Sequence, residues 1–164
     1  MMNVFPHPQA SAVTRILGEA GLPYSDLTDA HLEHFFGCGS ISAPEGIVGL
    51  ELYGSVALLR SLAVSSKCRR RGCGTALVAQ AELFAQSQGA REICLLTTTA
   101  QRFFERLGYA RVPREAAPVA IQGTLEFSTL CPLDSAFMAS ACQSRSQAPY
   151  LKLTEVQRNC CLTR

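Results

Sequence analysis

The 164-residue sequence has no run of about twenty apolar residues, the length a membrane-spanning helix needs. Its opening residues, MMNVFPHPQA, carry neither a basic flank nor an apolar stretch of leader length. A cytoplasmic protein with no membrane partner is expected. Charge is scarce: charged residues make up 17% of the chain and the formal net charge is +2, which leaves no global field to recruit nucleic acid. Lysine is nearly missing, since thirteen of the fifteen basic residues are arginine, the side chain that grips phosphate and carboxylate as a planar fork. The eight cysteines include no CxxC pair, which argues against a zinc ribbon or any resident metal, and their scatter through helix-like and strand-like segments points to free thiols. Neither GxxxxGK[ST] nor GxGxxG occurs, so nucleoside-triphosphate and dinucleotide sites lose their main support.

What is present is an apolar fraction of 48%, enough for one compact domain with a two- or three-layer core. Val13, Ile16, Leu17 and Ala20 recur at helical spacing before GLP, and a second short helix is expected over about 28–36 with Leu32, Phe35 and Phe36 inward. EGIVGLELYG and VALLRSLAV predict an antiparallel strand pair across a Gly-Ser turn. A helix then runs to about Gln88, REICLLTTT is a buried strand, AQRFFERLG is a short helix ended by Gly108, and TLEFSTL is expected as a last strand. The order predicts a mixed α/β fold: one central sheet, mostly antiparallel, flanked by helices. The domain is expected over 1–139, with 140–164 a polar tail.

Between the strand and the long helix stands KCRRRGCGT. The first N–H groups of a helix have no intrahelical partners, and the helix dipole adds positive charge there, so this end suits a phosphate. Gly72 and Gly74 let the backbone approach an anion, and Arg69, Arg70 and Arg71 can fork onto it from the rim. Arg69-x-x-Gly72-x-Gly74 after a strand resembles the pyrophosphate-binding turn of the GNAT superfamily of N-acetyltransferases, [QR]-x-x-G-x-[GA]. TTTAQRFFERLGY, some 25 residues on, is similar to that family's second signature, ending in Leu107, Gly108 and Tyr109. GLELYG, LLRSLAV and TLEFSTLCPLDSAFM extend the likeness to the arsenic-resistance N-acetyltransferase subgroup, over about 10–139.

The resemblance implies the GNAT fold and direct transfer of an acetyl group from acetyl-CoA to an amine, without an acyl-enzyme. In the subgroup the setting is arsenic detoxification and the acceptor an amino-organoarsenical or related toxic amino acid. It implies that a bulge in RSLAV presents backbone N–H groups around Leu62, Ala63 and Val64 to the thioester and pantetheine. The residues from Arg69 to Thr75, Cys73 included, would hold the pyrophosphate, with Phe103 and Phe104 beside the cofactor. Many members place a tyrosine where this chain has Phe104, and an asparagine where it has Thr97. Tyr53, Thr97 to Thr99 or water would then supply the proton to the leaving thiolate.

For the base, Glu51 stands in an otherwise apolar strand with Tyr53 on the same face, and burial would raise its pKa. Pairing of Glu51 with Arg60 across the strand pair is an equal reading, and both can hold. Glu126 is the second carboxylate. Arg60 and Arg114 are candidate clamps for an acidic acceptor. An alternative function is binding of trivalent metalloid by Cys131, Cys160 and Cys161 on a catalytically weak fold of the same kind, or transfer to a different amine or protein. A homodimer through an exposed edge at TLEFSTL is a further expectation.

Overall fold

The computed structural model describes residues 2–142. In chain order these form β1 (Val4–Pro6), α1 (Ala10–Ala20), α2 (Asp29–Leu32), β2 (Phe35–Gly39), β3 (Pro44–Tyr53), β4 (Val56–Val64), α3 (Cys73–Ser87), β5 (Glu92–Thr97), α4 (Gln101–Arg106), β6 (Ala110–Arg111), α5 (Val119–Gln122) and β7 (Ala136–Ala141). A 3-10 turn at Arg114–Ala116 and a π turn at Glu126–Leu130 flank α5. The strands make one seven-stranded sheet in the order β1-β2-β3-β4-β5-β7-β6, antiparallel throughout except for β4 against β5. This is the mixed, mostly antiparallel sheet with flanking helices that the element order predicts.

Each face of the sheet has its own core. Val13, Ile16 and Leu17 give α1 a buried stripe at i, i+3, i+4 that packs on Phe35, Ile47 and Ala63, and Gly21 at φ 67 ends the helix. The opposite face buries Leu77, Val78 and Ala81 of α3 with Leu59, Leu95 and Phe104. A third cluster, around Leu58, Ile121 and Phe137, seats α5. Close approach of α3 requires Gly46 in β3, where an added Cβ would lie 2.7 Å from Cys73 Sγ and 3.1 Å from Leu77 Cδ1.

Two expected elements are corrected. The second helix stops at Leu32, capped at Thr28 by His31, and Phe35 and Phe36 belong to β2. Helical spacing and strand alternation both bury two adjacent aromatics here, but Phe35 joins the α1 core and Phe36 the α3 core, opposite sides of the sheet. TLEFSTL is a π turn, with Leu125 exposed, Glu126 buried and the Cys131 N–H bonded to the Glu126 carbonyl. It therefore offers no strand edge; the last strand is β7, inserted between β5 and β6. Residues 140 and 141 continue β7, and the rest of the expected tail, with Cys160 and Cys161, lies outside the described residues.

Candidate active site

The site begins where β4 and β5 part. Their parallel pairing ends at Leu59 opposite Leu95, although β4 runs on to Val64 and β5 to Thr97. In the same stretch Gly49 stands opposite Arg60 and Ile47 opposite Ala63, so β4 holds one residue more than β3. Ser61, at φ 57, takes up that extra residue as a bulge. Before it, Leu58 packs in the α5 cluster and Arg60 reaches Asp26 of the α1–α2 loop; after it, Ala63 joins the α1 core, and Leu62 and Val64 turn to the α3 core. The bulge thus breaks the ladder beside the gap, freeing backbone groups near Leu62 to face it.

The gap is a cleft of about 380 Å³ lined by Leu62, Leu96, Thr97 to Thr99, Phe104 and Glu126, among others. The turn before α3 follows β4 in the chain and contributes no residue to that lining. Arg70 at φ 66 and Gly72 at φ 81 bend the chain so that the α3 N-terminus opens outward. The first intrahelical bond from this end joins Ala76 N–H to the Gly72 carbonyl, leaving the Cys73, Gly74 and Thr75 N–H groups ahead of the helix ladder. Nothing lies within 4 Å of a Cβ built on Gly72, whereas one on Gly74 would sit 3.3 Å from the Phe103 ring. Arg69, Arg70 and Arg71 are exposed around this turn. A pyrophosphate fits it: open backbone donors, a dipole of the right sign and arginines free to swing. Cys73 contributes only its backbone, because its thiol is buried under Gly46 and pushed up by burial and by Cys38.

Arg60 is the hub of the other wall. It is 2% exposed. Its NH1 donates to Asp26 at 2.5 Å and to Glu51 at 2.6 Å, its NH2 to Asp26 at 2.9 Å, and its Nε to Ser61 Oγ at 3.2 Å. NH2 also stands 2.9 Å from Glu126 Oε2, outside hydrogen-bonding geometry. Burial pushes the Asp26 carboxyl up, but the hydrogen bonds and charge of Arg60 outweigh it and hold it below its ordinary value. Tyr53 donates to the second Glu51 oxygen, and burial with that bond raises the phenol. Both Glu51 oxygens are therefore occupied, and the pairing across β3 and β4 is formed. Glu126 differs: burial raises its carboxyl, Arg60 opposes this, and Asp26 and Glu51 add to it.

Arg114 stands apart from the cleft lining. Its guanidinium lies 4.3 Å from the Phe127 ring centroid and donates to the Phe127 carbonyl, facing a neighbouring cavity of about 360 Å³. Phe104 lines the cleft and packs edge-on to Phe103 and Tyr109, while Thr97 Oγ1 accepts from Ala100 N–H at the start of α4. Burial and Glu126 push the Cys131 thiol up to about 12, leaving little thiolate at neutral pH. Among the described residues, no group of three His, Cys, Asp or Glu is placed to hold a metal. A larger cavity, about 660 Å³, lies along the middle of α3 beside Tyr109 and β7 and includes none of the turn residues.

Comparison with known proteins bears on the family likeness and the fold. Residues 31–111 match the family model described as "Acetyltransferase (GNAT) domain". That stretch, just under half of the chain, resembles a GNAT acetyltransferase domain. An uncharacterized N-acetyltransferase of Chlorobaculum tepidum is 33% identical over 92 residues, 56% of this chain and 59% of that protein. The GNAT fold extends over most of the described chain. N-acetylglutamate synthase from Neisseria gonorrhoeae, solved with coenzyme A and N-acetyl-glutamate, superposes with a TM-score of 0.73 at 16% identity, over 87% of this chain and 35% of its own. Rv2747 of Mycobacterium tuberculosis, in complex with CoA and NLQ, gives 0.66 at 16% identity, over 85% and 98%.

Sequence reasoning missed Asp26, 34 residues from Arg60 in the loop between α1 and α2. A lone aspartate in YSDLTD carries no signal of a distant ion pair. Leu22 and Pro23 on the cleft wall were read only as the end of a helix.

Proposed function

We propose that this chain is an acetyl-CoA-dependent N-acetyltransferase that acts by direct transfer to the amine of a small acceptor. The observations that carry the reading are the β4 bulge beside the β4–β5 cleft and, following β4 in the chain, the open α3 N-terminus with its exposed arginines. Acetyl-CoA, when bound, supplies the thioester carbonyl that the amine attacks. Backbone groups around Leu62, Ala63 and Val64 orient the pantetheine arm and polarise that carbonyl. The turn from Arg69 to Thr75 holds the pyrophosphate through backbone N–H groups and arginine forks. Phe103 and Phe104 wall the thioester end and exclude water.

Glu51 and Tyr53 act as positioning residues: they fix Arg60, and through it the floor of the acceptor side. With Phe104 in the helix, the departing thiolate takes its proton from water or from the threonines at the end of β5. Amino-organoarsenicals and related toxic amino acids are the first acceptors to try, in keeping with the likeness to the arsenic-resistance subgroup. A cytoplasmic homodimer acting in detoxification completes the proposal.

The test is mass spectrometry of the purified chain with acetyl-CoA and a panel of amino-arsenicals, phosphinic amino acids, polyamines and a lysine peptide. A product 42 Da heavier than one class of acceptor is expected. Acetyl-CoA bound with no product from any amine would overturn the transferase reading.

A further inference from the structure

Among the described residues, Arg114 NH1 and Ser135 Oγ are buried polar atoms without a hydrogen-bond partner. Glu126 Oε2 is a third, but it has an ion pair with Arg60 that these two lack. Such orphans are rare, because each forfeits its hydration without return, so the two together ask what partner is missing. Both residues line one cavity of about 360 Å³ between β6 and the start of β7. The other charged residues of that lining are Arg111 and Asp134, both exposed, and Val112, Leu133 and Phe137 are among its apolar walls. Two guanidiniums against one carboxylate give the lining a net positive charge.

Arg114 is only half engaged. Its NH2 donates to the Phe127 carbonyl at 2.7 Å and its Cζ lies 4.3 Å from the Phe127 ring centroid, while the NH1 hydrogens are unspent. Ser135, 3% exposed, likewise has a hydroxyl free to donate. Both atoms are covered by their neighbours. A ligand reaches them by turning the long Arg114 side chain about its contact with Phe127, a movement within the β6–β7 segment that leaves the β4–β5 ladder intact.

The two arginines repel a cation, and a neutral ligand would leave their charge unused. A carboxylate supplies what the orphans lack: coplanar acceptor oxygens that suit the guanidinium fork and accept from the hydroxyl. A doubly charged phosphate suits the cavity less, since Asp134 stands on the same lining. We propose that this cavity is a binding site for a small monocarboxylate, held by Arg114 and Arg111 with Ser135 donating to it. The site does not depend on the N-acetyltransferase reading, which enters only in the source of the acid group. Ser135 also lines the β4–β5 cleft, so the carboxylate can belong to the acceptor itself or to a separate small acid.

Isothermal titration of the full chain at neutral pH would compare carboxylates with their amides: benzoate with benzamide, isovalerate with isovaleramide. At least one carboxylate should bind about tenfold or more tighter than its amide, because only the anion uses the guanidinium charge. Arg114→Gln should weaken that carboxylate about tenfold, and Ser135→Ala about threefold. Arg114→Lys, which keeps the charge and loses the fork, should fall between wild type and Arg114→Gln. Acetyl-CoA affinity should stay near wild type in all three, and Ser135→Ala serves if neither arginine variant folds. Repeating the titration of the CoA-saturated protein in the presence of phenylalanine or leucine separates the sources. Displacement of the carboxylate by an amino acid would assign the site to the acceptor, and no displacement would assign it to a separate acid; either outcome supports the site. No binding by any carboxylate, an amide binding as tightly, or an affinity unchanged in Arg114→Gln would overturn the proposal. Failure to bind acetyl-CoA would strike the transferase reading and leave this site standing.

Discussion

At the scale of single residues, the energetics turn on Arg60. A guanidinium that is 2% exposed survives because Asp26 and Glu51 satisfy it, and those carboxylates survive because it does. Arg60→Met keeps much of the volume but strands buried carboxylates, and should cost about 3–5 kcal/mol at neutral pH by urea denaturation. The sign with pH follows from the two shifted groups. Asp26 is held below 3.8, so its contribution is present above that pH and lost as pH falls through its folded value. Glu126 is raised above 4.5, so its contribution is present below that pH and lost as pH rises through its folded value. Removing Arg60 abolishes the first and lifts Glu126 further, so the gap between wild type and variant should be widest at neutral pH and close below about pH 3.8. A gap independent of pH would mean that the cluster contributes only packing.

At the scale of elements, the site depends on how closely α3 lies on the sheet. Gly46 makes that possible, and the atoms its Cβ would strike, Cys73 Sγ and Leu77 Cδ1, belong to the first turns of α3. Gly46→Ala should destabilise by about 1–3 kcal/mol through overpacking, and it should also weaken acetyl-CoA by displacing the turn from the bulge. Equilibrium denaturation and isothermal titration on the same variant separate the two effects; lost stability with unchanged affinity would show that the strain is absorbed elsewhere. These elements were legible to different degrees, for physical reasons. The turn before α3 announces itself because its chemistry is local: three arginines and two glycines must be consecutive to do their work. The alternation in β3 and β4 is equally local. The cluster around Arg60 draws on β3, β4, the α1–α2 loop and the β6–β7 segment, and nothing in any one segment marks the partnership. TLEFSTL alternates like a strand, yet its Glu126 is drawn inward by Arg60 and the backbone follows as a π turn. Tertiary charge pairing there outweighs local propensity.

At the scale of the whole molecule, the sheet ends in short strands, β1 with three residues and β6 with two, so neither edge is a long template for another chain. The fold's open asset is the cleft. A ligand spanning the α3 turn, the bulge and the α4 helix ties together parts of both cores, and anything bound only by the folded chain raises its stability. At a hundred times its dissociation constant acetyl-CoA should add about 2.7 kcal/mol, or roughly 5–10 °C in melting temperature for a domain of this size. Gly72 separates backbone strain from binding. Gly72→Ala meets no atom within 4 Å but must adopt φ 81, so it should lower the unliganded melting temperature by about 1–2 kcal/mol equivalent and keep a measurable shift with ligand. Gly72→Glu adds a carboxylate where the pyrophosphate would sit, and its repulsion should erase the shift. Thermal unfolding with and without acetyl-CoA reads all three proteins at once. Equal shifts in wild type and Gly72→Glu would move the phosphate site away from α3, and the arginines of the turn would then need another role.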